Sequence, residues 1–244
     1  MSIPLAEQLR PRTLDEFMGQ EELVGKGGIL RKVIISGNIP SMILWGPPGV
    51  GKTTLAHIIA EQHSLTFYTL NAVSAGVKDV RKVIESASQY AANAILFIDE
   101  IHRFSKSQQD SLLSAVEKGI ITLIGATTEN PSFEVISPLL SRCQVYVLKP
   151  LEKKHLEILT EKAVKLLSEQ HGIPVEIEET EALLHLSGGD ARKLYNALEL
   201  FVEQEKRGAK KLVLNNENLS RTIQENLVMY DKKGEMHYDI ISAF

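Results

Sequence analysis

This chain is poor in the features that mark several large protein classes. Cys143 is the single cysteine among 244 residues, which excludes an intrachain disulfide and fits a reducing compartment. A lone cysteine is read as a small packed residue rather than a catalytic thiol. No apolar run approaches the roughly 20 residues that a membrane-spanning helix needs. Met1 to Glu7 shows no charged segment followed by an apolar one, so no secretion signal is expected and a cytoplasmic location is. The seven histidines show no metal-ligand spacing. Basic residues are not in excess either: 27 Lys and Arg stand against 31 Asp and Glu, a net charge of −4. Any contact with nucleic acid must therefore come from a local stripe or from several copies acting together. Neither internal repeats nor low-complexity stretches break the chain.

Against that background one segment carries a specific chemistry. Gly46-Pro47-Pro48-Gly49-Val50-Gly51-Lys52-Thr53-Thr54 fits the phosphate-cradling pattern G-x-x-x-x-G-K-[ST]. Small residues let successive backbone N–H groups face inward around an anion. Lys52 would reach the β- and γ-phosphates, and the Thr53 hydroxyl would ligate Mg²⁺. The flanks agree: Met42–Trp45 reads as a buried strand, and Thr54 to Ala60 as a helix whose N-terminus favours negative charge. The segment predicts nucleoside triphosphate binding.

A second segment predicts turnover. Ala94 to Ile98 is continuously apolar, as a central parallel strand is, and it ends in Asp99-Glu100. Two adjacent carboxylates beyond a buried strand are costly unless they are used. Asp99 is assigned to the Mg²⁺ shell and Glu100 to the attacking water.

The wider pattern is α/β. Short apolar runs at Met42–Trp45, Thr66–Leu70, Ile95–Ile98, Thr122–Gly125 and Val145–Leu148 alternate with helical segments, which predicts a parallel sheet flanked by helices over residues 1–150. After Lys149-Pro150 the apolar positions recur at helical spacing: Leu156, Leu159 and Ala163, then Leu183, Leu184 and Leu186, then Leu194, Leu198, Phe201 and Val202. Residues 151–229 are read as a small all-helical domain, with Lys211–Leu214 a brief strand-like interruption. Residues 230–244 are read either as the cut start of a further helical region or as a frayed terminal helix, because no cap, glycine or proline ends the pattern.

These motifs, in this order, resemble the AAA+ ATPases of the clamp-loader and RuvB-like branch. The resemblance rests on Leu9-Arg10-Pro11 through Gly19-Gln20, the phosphate loop, Asp99-Glu100, Gly125-Ala126-Thr127-Thr128, Ser141-Arg142-Cys143 and Gly189-Asp190 with Arg192. Asp99 to Phe104, Gln108-Gln109-Asp110 and Thr127 to Phe133 look most like the replication-associated recombination group, relatives of Werner-helicase-interacting proteins. It covers nearly the whole chain. It implies a P-loop fold with a helical lid, ATP and Mg²⁺ as cofactors, and ATP hydrolysis, stimulated by DNA, in replication-fork maintenance, recombination and repair.

The same resemblance implies residue roles. Thr128 would sense the γ-phosphate or position water, unless it is an ordinary strand-end threonine. Arg142 would act as an arginine finger on a neighbouring protomer's nucleotide. Arg192 would reach from the lid to the phosphates. Arg10, Pro11, Gly19 and Val24 would line the adenine pocket. Asn71 would restrain Glu100 until substrate arrives, or merely form a turn. The implied partners are forked, gapped or ended DNA, further copies of the chain (a tetramer in the longer family members) and a single-stranded-DNA-binding protein.

Two other readings use the same scaffold: a protein unfoldase, and a nucleotide-dependent switch like a clamp-loader subunit. An unfoldase presents an aromatic residue after the second strand. Ala72 to Lys82 has none, but carries Lys78, Arg81 and Lys82, which suit phosphate contacts or simply form a solvated face.

Overall fold

The computed structural model describes residues 3–90 and 94–231. They divide into two compact units, Pro11–Lys149 on one side and, on the other, the described residues up to Arg10 together with those from Pro150 onward. The sequence pattern alone starts the first domain at residue 1. Helix α1 (Leu5–Gln8) instead packs in the second unit, where the Leu5 N–H donates to Glu199 Oε1 at 3.1 Å.

In the Pro11–Lys149 unit, α2 (Glu21–Val24) and α3 (Ile29–Ser36) precede β1 (Met42–Trp45), α4 (Lys52–Gln62), β2 (Phe67–Asn71), α5 (Val77–Tyr90) and β3 (Ala94–Asp99). A turn of 3₁₀ helix at Ile101–Arg103 leads to α6 (Lys106–Glu117) and β4 (Ile121–Thr127). The short α7 (Pro131–Glu134) and α8 (Ser137–Leu140) then lead to β5 (Gln144–Val147). The five strands form one parallel sheet in the order β2-β3-β4-β1-β5. Burial follows that order. Central β1, β3 and β4 are mainly apolar and almost entirely buried, whereas edge strands β2 and β5 carry exposed positions.

Alternation along the central strands feeds two cores. Met42, Leu44, Ile95, Phe97, Ile124 and Ala126 face one layer with Leu55 and Ile59 of α4 and the N-terminal Phe17. Ile43, Leu96, Ile98 and Leu123 face the other, with Val80 of α5, Leu112 of α6 and Leu139 of α8. Covering both faces satisfies continuously apolar strands and leaves the strand ends as the open, polar edge where such sheets bind ligands.

The second unit is built on α9 (Lys153–His171), α10 (Glu181–Ser187), α11 (Ala191–Glu205) and α12 (Asn216–Asp231). Of the periodic apolar positions, Leu156, Leu159, Ala163, Leu183, Leu194, Leu198, Phe201 and Val202 are buried, whereas Leu184 and Leu186 are half-buried. Gly188 closes α10 with φ 54°, and the Asp190 carboxylate caps α11 by accepting from the Arg192 and Lys193 N–H groups at 2.7 and 3.1 Å. One detail departs from an all-helical unit. β6 (Val175–Ile177) pairs in parallel with β7 (Leu212–Leu214), so the strand-like Lys211–Leu214 has a partner that the sequence pattern does not identify. The boundary placed at 229/230 falls inside α12, and the apolar pattern at 237–244 lies outside the described residues. Among the described residues, no helix is long and apolar enough to cross a membrane.

Candidate active site

The phosphate-loop sequence connects β1 to α4, on the carboxyl edge of the sheet. Gly46 begins it where two strands converge: its N–H donates to Thr127 O at 3.1 Å, and a Cβ there would lie 2.4 Å from Leu148 O. Gly51 ends it in the left-handed region with φ 95°, as the N-cap of α4. A Cβ on Gly51 would also stand 2.7 Å from the Phe17 ring, so the Leu14–Phe17 segment presses against the loop. Lys52 Nζ donates to the carbonyl oxygens of Gly46 at 2.7 Å and Pro47 at 2.8 Å, which arches the ammonium over the loop it closes. Lys52 is buried, so its charge needs those oxygens. Thr53 and Thr54 lie half-buried in the first turn of α4.

Asp99 ends β3, and β4 lies between β3 and β1. The two predicted motifs therefore leave the same sheet edge on either side of Thr127-Thr128. The Asp99 carboxylate forms no hydrogen bond or ion pair with any described residue. Among the described residues Glu100 is one of three non-glycine residues with positive φ, at φ 53° and ψ 46°. Such a conformation costs on the order of 1 kcal/mol or more outside glycine, and it persists where surrounding contacts hold it. Glu100 Oε2 lies 3.2 Å from His102 Nδ1 and 3.5 Å from Thr128 Oγ1, which donates to it. His102 Nδ1 is also 2.9 Å from Thr127 Oγ1.

No hydrogen bond joins Asn71 to Glu100 among the described residues. Asn71 pairs with Asp99 across β2 and β3, and its Oδ1 accepts the Val73 N–H at 2.9 Å, a local turn bond. Sequence reasoning gives His102 no role, although it lies in the Asp99–Phe104 family marker two residues beyond Glu100. It also leaves Gln108 and Gln109 as family markers without a role. Ser105 and Gln108 form a reciprocal capping box, and Gln108 Nε2 reaches Ala75 O at 2.7 Å in the loop after β2. Gln109 is fully buried. Its Nε2 donates to Phe104 O at 3.1 Å and Glu134 O at 3.0 Å, and its Oε1 accepts the Ile136 N–H at 2.9 Å. That amide ties the 3₁₀ turn after Glu100 to the segment carrying α7 and α8.

Arg142 follows α8 and is partly exposed. Its guanidinium pairs with Glu117 and donates to Pro138 O at 2.6 Å. Of the residues assigned to adenine, Val24 is buried in the core, Gly19 has φ 72°, and Pro11 opens this unit. Arg10, paired with Glu7 at 2.5 Å, and Arg192, exposed in the first turn of α11, belong to the other unit. Cys143 is half-buried, and burial pushes its thiol from 9.0 up to about 11, which fits a packed residue.

The donors fit a hard cation sparingly. Among the described residues no cluster of three or more His, Cys, Asp or Glu side chains could cage a metal. The Thr53 hydroxyl and the Asp99 carboxylate are oxygen ligands uncommitted to other described residues. Mg²⁺ is ordinarily held by one or two such groups together with phosphate and water.

Comparison with known proteins supplies the context. Residues 42–151 match the family described as "ATPase family associated with various cellular activities (AAA)", and residues 169–244 match the "AAA C-terminal domain". The chain is 47% identical to replication-associated recombination protein A of Coxiella burnetii, over 99% of this chain and 56% of that protein. It is 44% identical to the protein of that name from Escherichia coli K12, over 98% and 55%. It is 40% identical to ATPase WRNIP1 of Dictyostelium discoideum, over 98% of this chain and 30% of that one. Measured against the bacterial proteins, the chain spans about half their length. Among solved structures, the Holliday junction branch migration motor RuvB of Thermotoga maritima matches with a TM-score of 0.73 at 30% identity. It covers 95% of this chain and 76% of that one.

Proposed function

The chain belongs to the AAA family of ATPases, and from that premise we propose that it binds ATP with Mg²⁺ and hydrolyses it to ADP and phosphate while acting on DNA in replication and recombination. The observation that carries the reading is the sheet edge itself. A glycine-closed loop with a buried lysine and a strand ending in two carboxylates flank the same strand, β4.

Each residue has a task in this reading. Backbone N–H groups of Gly49 to Thr54 and the Lys52 ammonium hold the phosphates. Thr53 and Asp99 would hold Mg²⁺, which when bound neutralises charge developing on the transferred phosphoryl. Glu100 orients and polarises the attacking water, while Thr128 watches the γ-phosphate. Arg142 would leave Glu117 to complete the site of a second copy of the chain, which makes hydrolysis depend on assembly.

DNA would be met on α5. Lys78, Arg81 and Lys82 are exposed at helical spacing, and neither they nor Arg103 and Lys106 pair with any described acidic group. The loop before α5 exposes Val73 and no aromatic residue, which favours phosphate contacts over gripping a polypeptide. We extend the proposal, on the family resemblance, to a homo-oligomer in the cytoplasm, with a tetramer and a single-stranded-DNA-binding protein as the assembly and partner to test.

The deciding experiment measures ATP turnover of the full-length protein with and without single-stranded, duplex-end and forked DNA. Lys52→Ala should abolish nucleotide binding, and Glu100→Gln should keep binding while losing turnover. Wild-type turnover by Glu100→Gln would refute the role of Glu100, and indifference to every DNA form would refute the DNA reading.

A further inference from the structure

Hydrolysis requires the Glu100 carboxylate to present one oxygen to water in a constant direction, yet the side chain is partly exposed and begins at a strained backbone position. Something must hold it. We propose that His102 is the positioning residue for Glu100, fixing Oε2 so that Oε1 is left to accept a proton from water. The proposal rests on the reading of Glu100 as the water-orienting carboxylate.

The proton arrangement follows from the contacts. Thr127 Oγ1 donates to Glu129 O at 3.2 Å and accepts the Glu129 N–H at 3.0 Å. Its hydroxyl proton is thereby committed, and a remaining lone pair faces His102 Nδ1 at 2.9 Å. An ionised carboxylate only accepts, so the atom facing both oxygens must be a donor. His102 therefore carries its proton on Nδ1 and shares it between Thr127 Oγ1 and Glu100 Oε2, the latter at 3.2 Å. With Thr128 Oγ1 donating to the same Oε2, that oxygen is doubly engaged. Oε1 bonds to no described residue.

The ring itself is well anchored. Its side chain is 9% exposed. Ile101, the first residue of the same turn, is fully buried and packs so close above Gly125 that a Cβ there would lie 3.0 Å from Ile101 Cδ1. Gly125 and Thr127 belong to β4, so the imidazole ties Glu100 to the strand that also receives Gly46 through Thr127 O. The Glu100 direction is thus set by the strand beneath the phosphate loop. Asn71, engaged with Val73, has no part in it.

Two isosteres make the test specific, because an asparagine amide N–H can stand where Nδ1–H stands and a glutamine amide reaches toward the Nε2 position. In the full-length protein, His102→Ala should lower kcat for ATP about tenfold while the dissociation constant for a fluorescent ATP analogue stays within about twofold of wild type. His102→Asn should restore most of the rate, and His102→Gln should not. In a Glu100→Gln background, His102→Ala should cost nothing further, since the carboxylate it positions is gone. Wild-type kcat in His102→Ala, or equal loss in the asparagine and glutamine variants, would overturn the inference. So would a parallel loss of nucleotide affinity, which marks a structural role. If Glu100→Gln alone abolishes turnover while His102→Ala is silent, only the His102 inference fails. If Glu100→Gln hydrolyses normally, the reading beneath it fails as well.

Discussion

Replacing Gln109 by leucine tests whether the link between the turn after Glu100 and the α7–α8 segment is a real structural tie. Leucine nearly conserves volume, so the change removes hydrogen bonds without opening a large cavity. Three backbone groups lose their partner: Phe104 O, Glu134 O and the Ile136 N–H. The Phe104 bond is wholly buried, and leaving that oxygen unpaired costs about 1–3 kcal/mol. The other two bonds are partly buried, where water gives relief, and each is worth about 0.5–1.5 kcal/mol. The sum centres near ~4 kcal/mol, and the apolar side chain recovers roughly 1 of it, leaving ~3 kcal/mol. For a unit of this size that lowers the melting midpoint by roughly 10 °C. Thermal and urea unfolding measure it directly, and Gln109→Glu sharpens it, because glutamate keeps an acceptor for Ile136 but loses both donated bonds. ATP turnover in the assembled protein should fall further than nucleotide affinity, since Arg142 hangs on the slackened segment. A Gln109→Leu protein within about 1 kcal/mol of wild type would refute the reasoning, as it would mean these groups find water in the folded state.

Other consequences follow from the same structure. Gly51→Ala forces a side chain into φ 95° and against Phe17, so nucleotide affinity should drop at least about tenfold, and Phe17→Leu in the same chain should recover part of it; unchanged affinity in a titration with labelled ATP would count against the loop geometry. Reversing the charges of Lys78, Arg81 and Lys82 together should flatten the dependence of log affinity for DNA on log salt, by about 0.7–0.9 for each phosphate no longer neutralised, and leave ATP binding intact; DNA binding and response equal to wild type would reduce the stripe to a solvated face. Burial holds the Cys143 thiol up at about 11, so iodoacetamide at about pH 8 should label it far more slowly in the folded protein than in urea. Because the unfolded thiol ionises near 9.0 and the folded one near 11, its contribution to stability is complete below about pH 9 and disappears as pH rises between those values. Cys143→Ala should remove that part of the alkaline decline, and an unchanged pH profile would deny it.

Much of this architecture is legible in the linear chain. Central strands such as Ala94–Asp99 announce themselves because both faces are covered, so nearly every position must be apolar. The phosphate loop is equally legible, because its geometry depends on local backbone freedom at Gly46 and Gly51 and on a lysine at a set spacing. The second unit's helices show through their helical period, and Gly188 and Asp190 mark the junction of α10 and α11. What escapes is non-local. Val175–Ile177 is three residues long, and its partner Leu212–Leu214 comes more than thirty residues later, so no periodicity could reveal it. The described residues up to Arg10 carry no mark of which unit they join, because a four-residue helix with one buried leucine fits either.

The site divides in the same way. By itself the sequence determines which groups are available at the sheet edge: the loop, Lys52, Asp99 and Glu100, each named by a neighbour within a few positions. Only the tertiary structure decides what holds them. Glu100 is tied to His102 and, through that imidazole, to Thr127, twenty-five residues along the chain from it. Gln109 bridges Phe104 and Ile136, twenty-seven residues from Gln109, while Asn71, which looks in the sequence like the restraint, spends its side chain on its own turn. Backbone preferences act between neighbours and can be read from composition and spacing. The orientation of a polar side chain depends on which distant donors and acceptors folding brings within about 3 Å, and that distance exists only once the strands are in register.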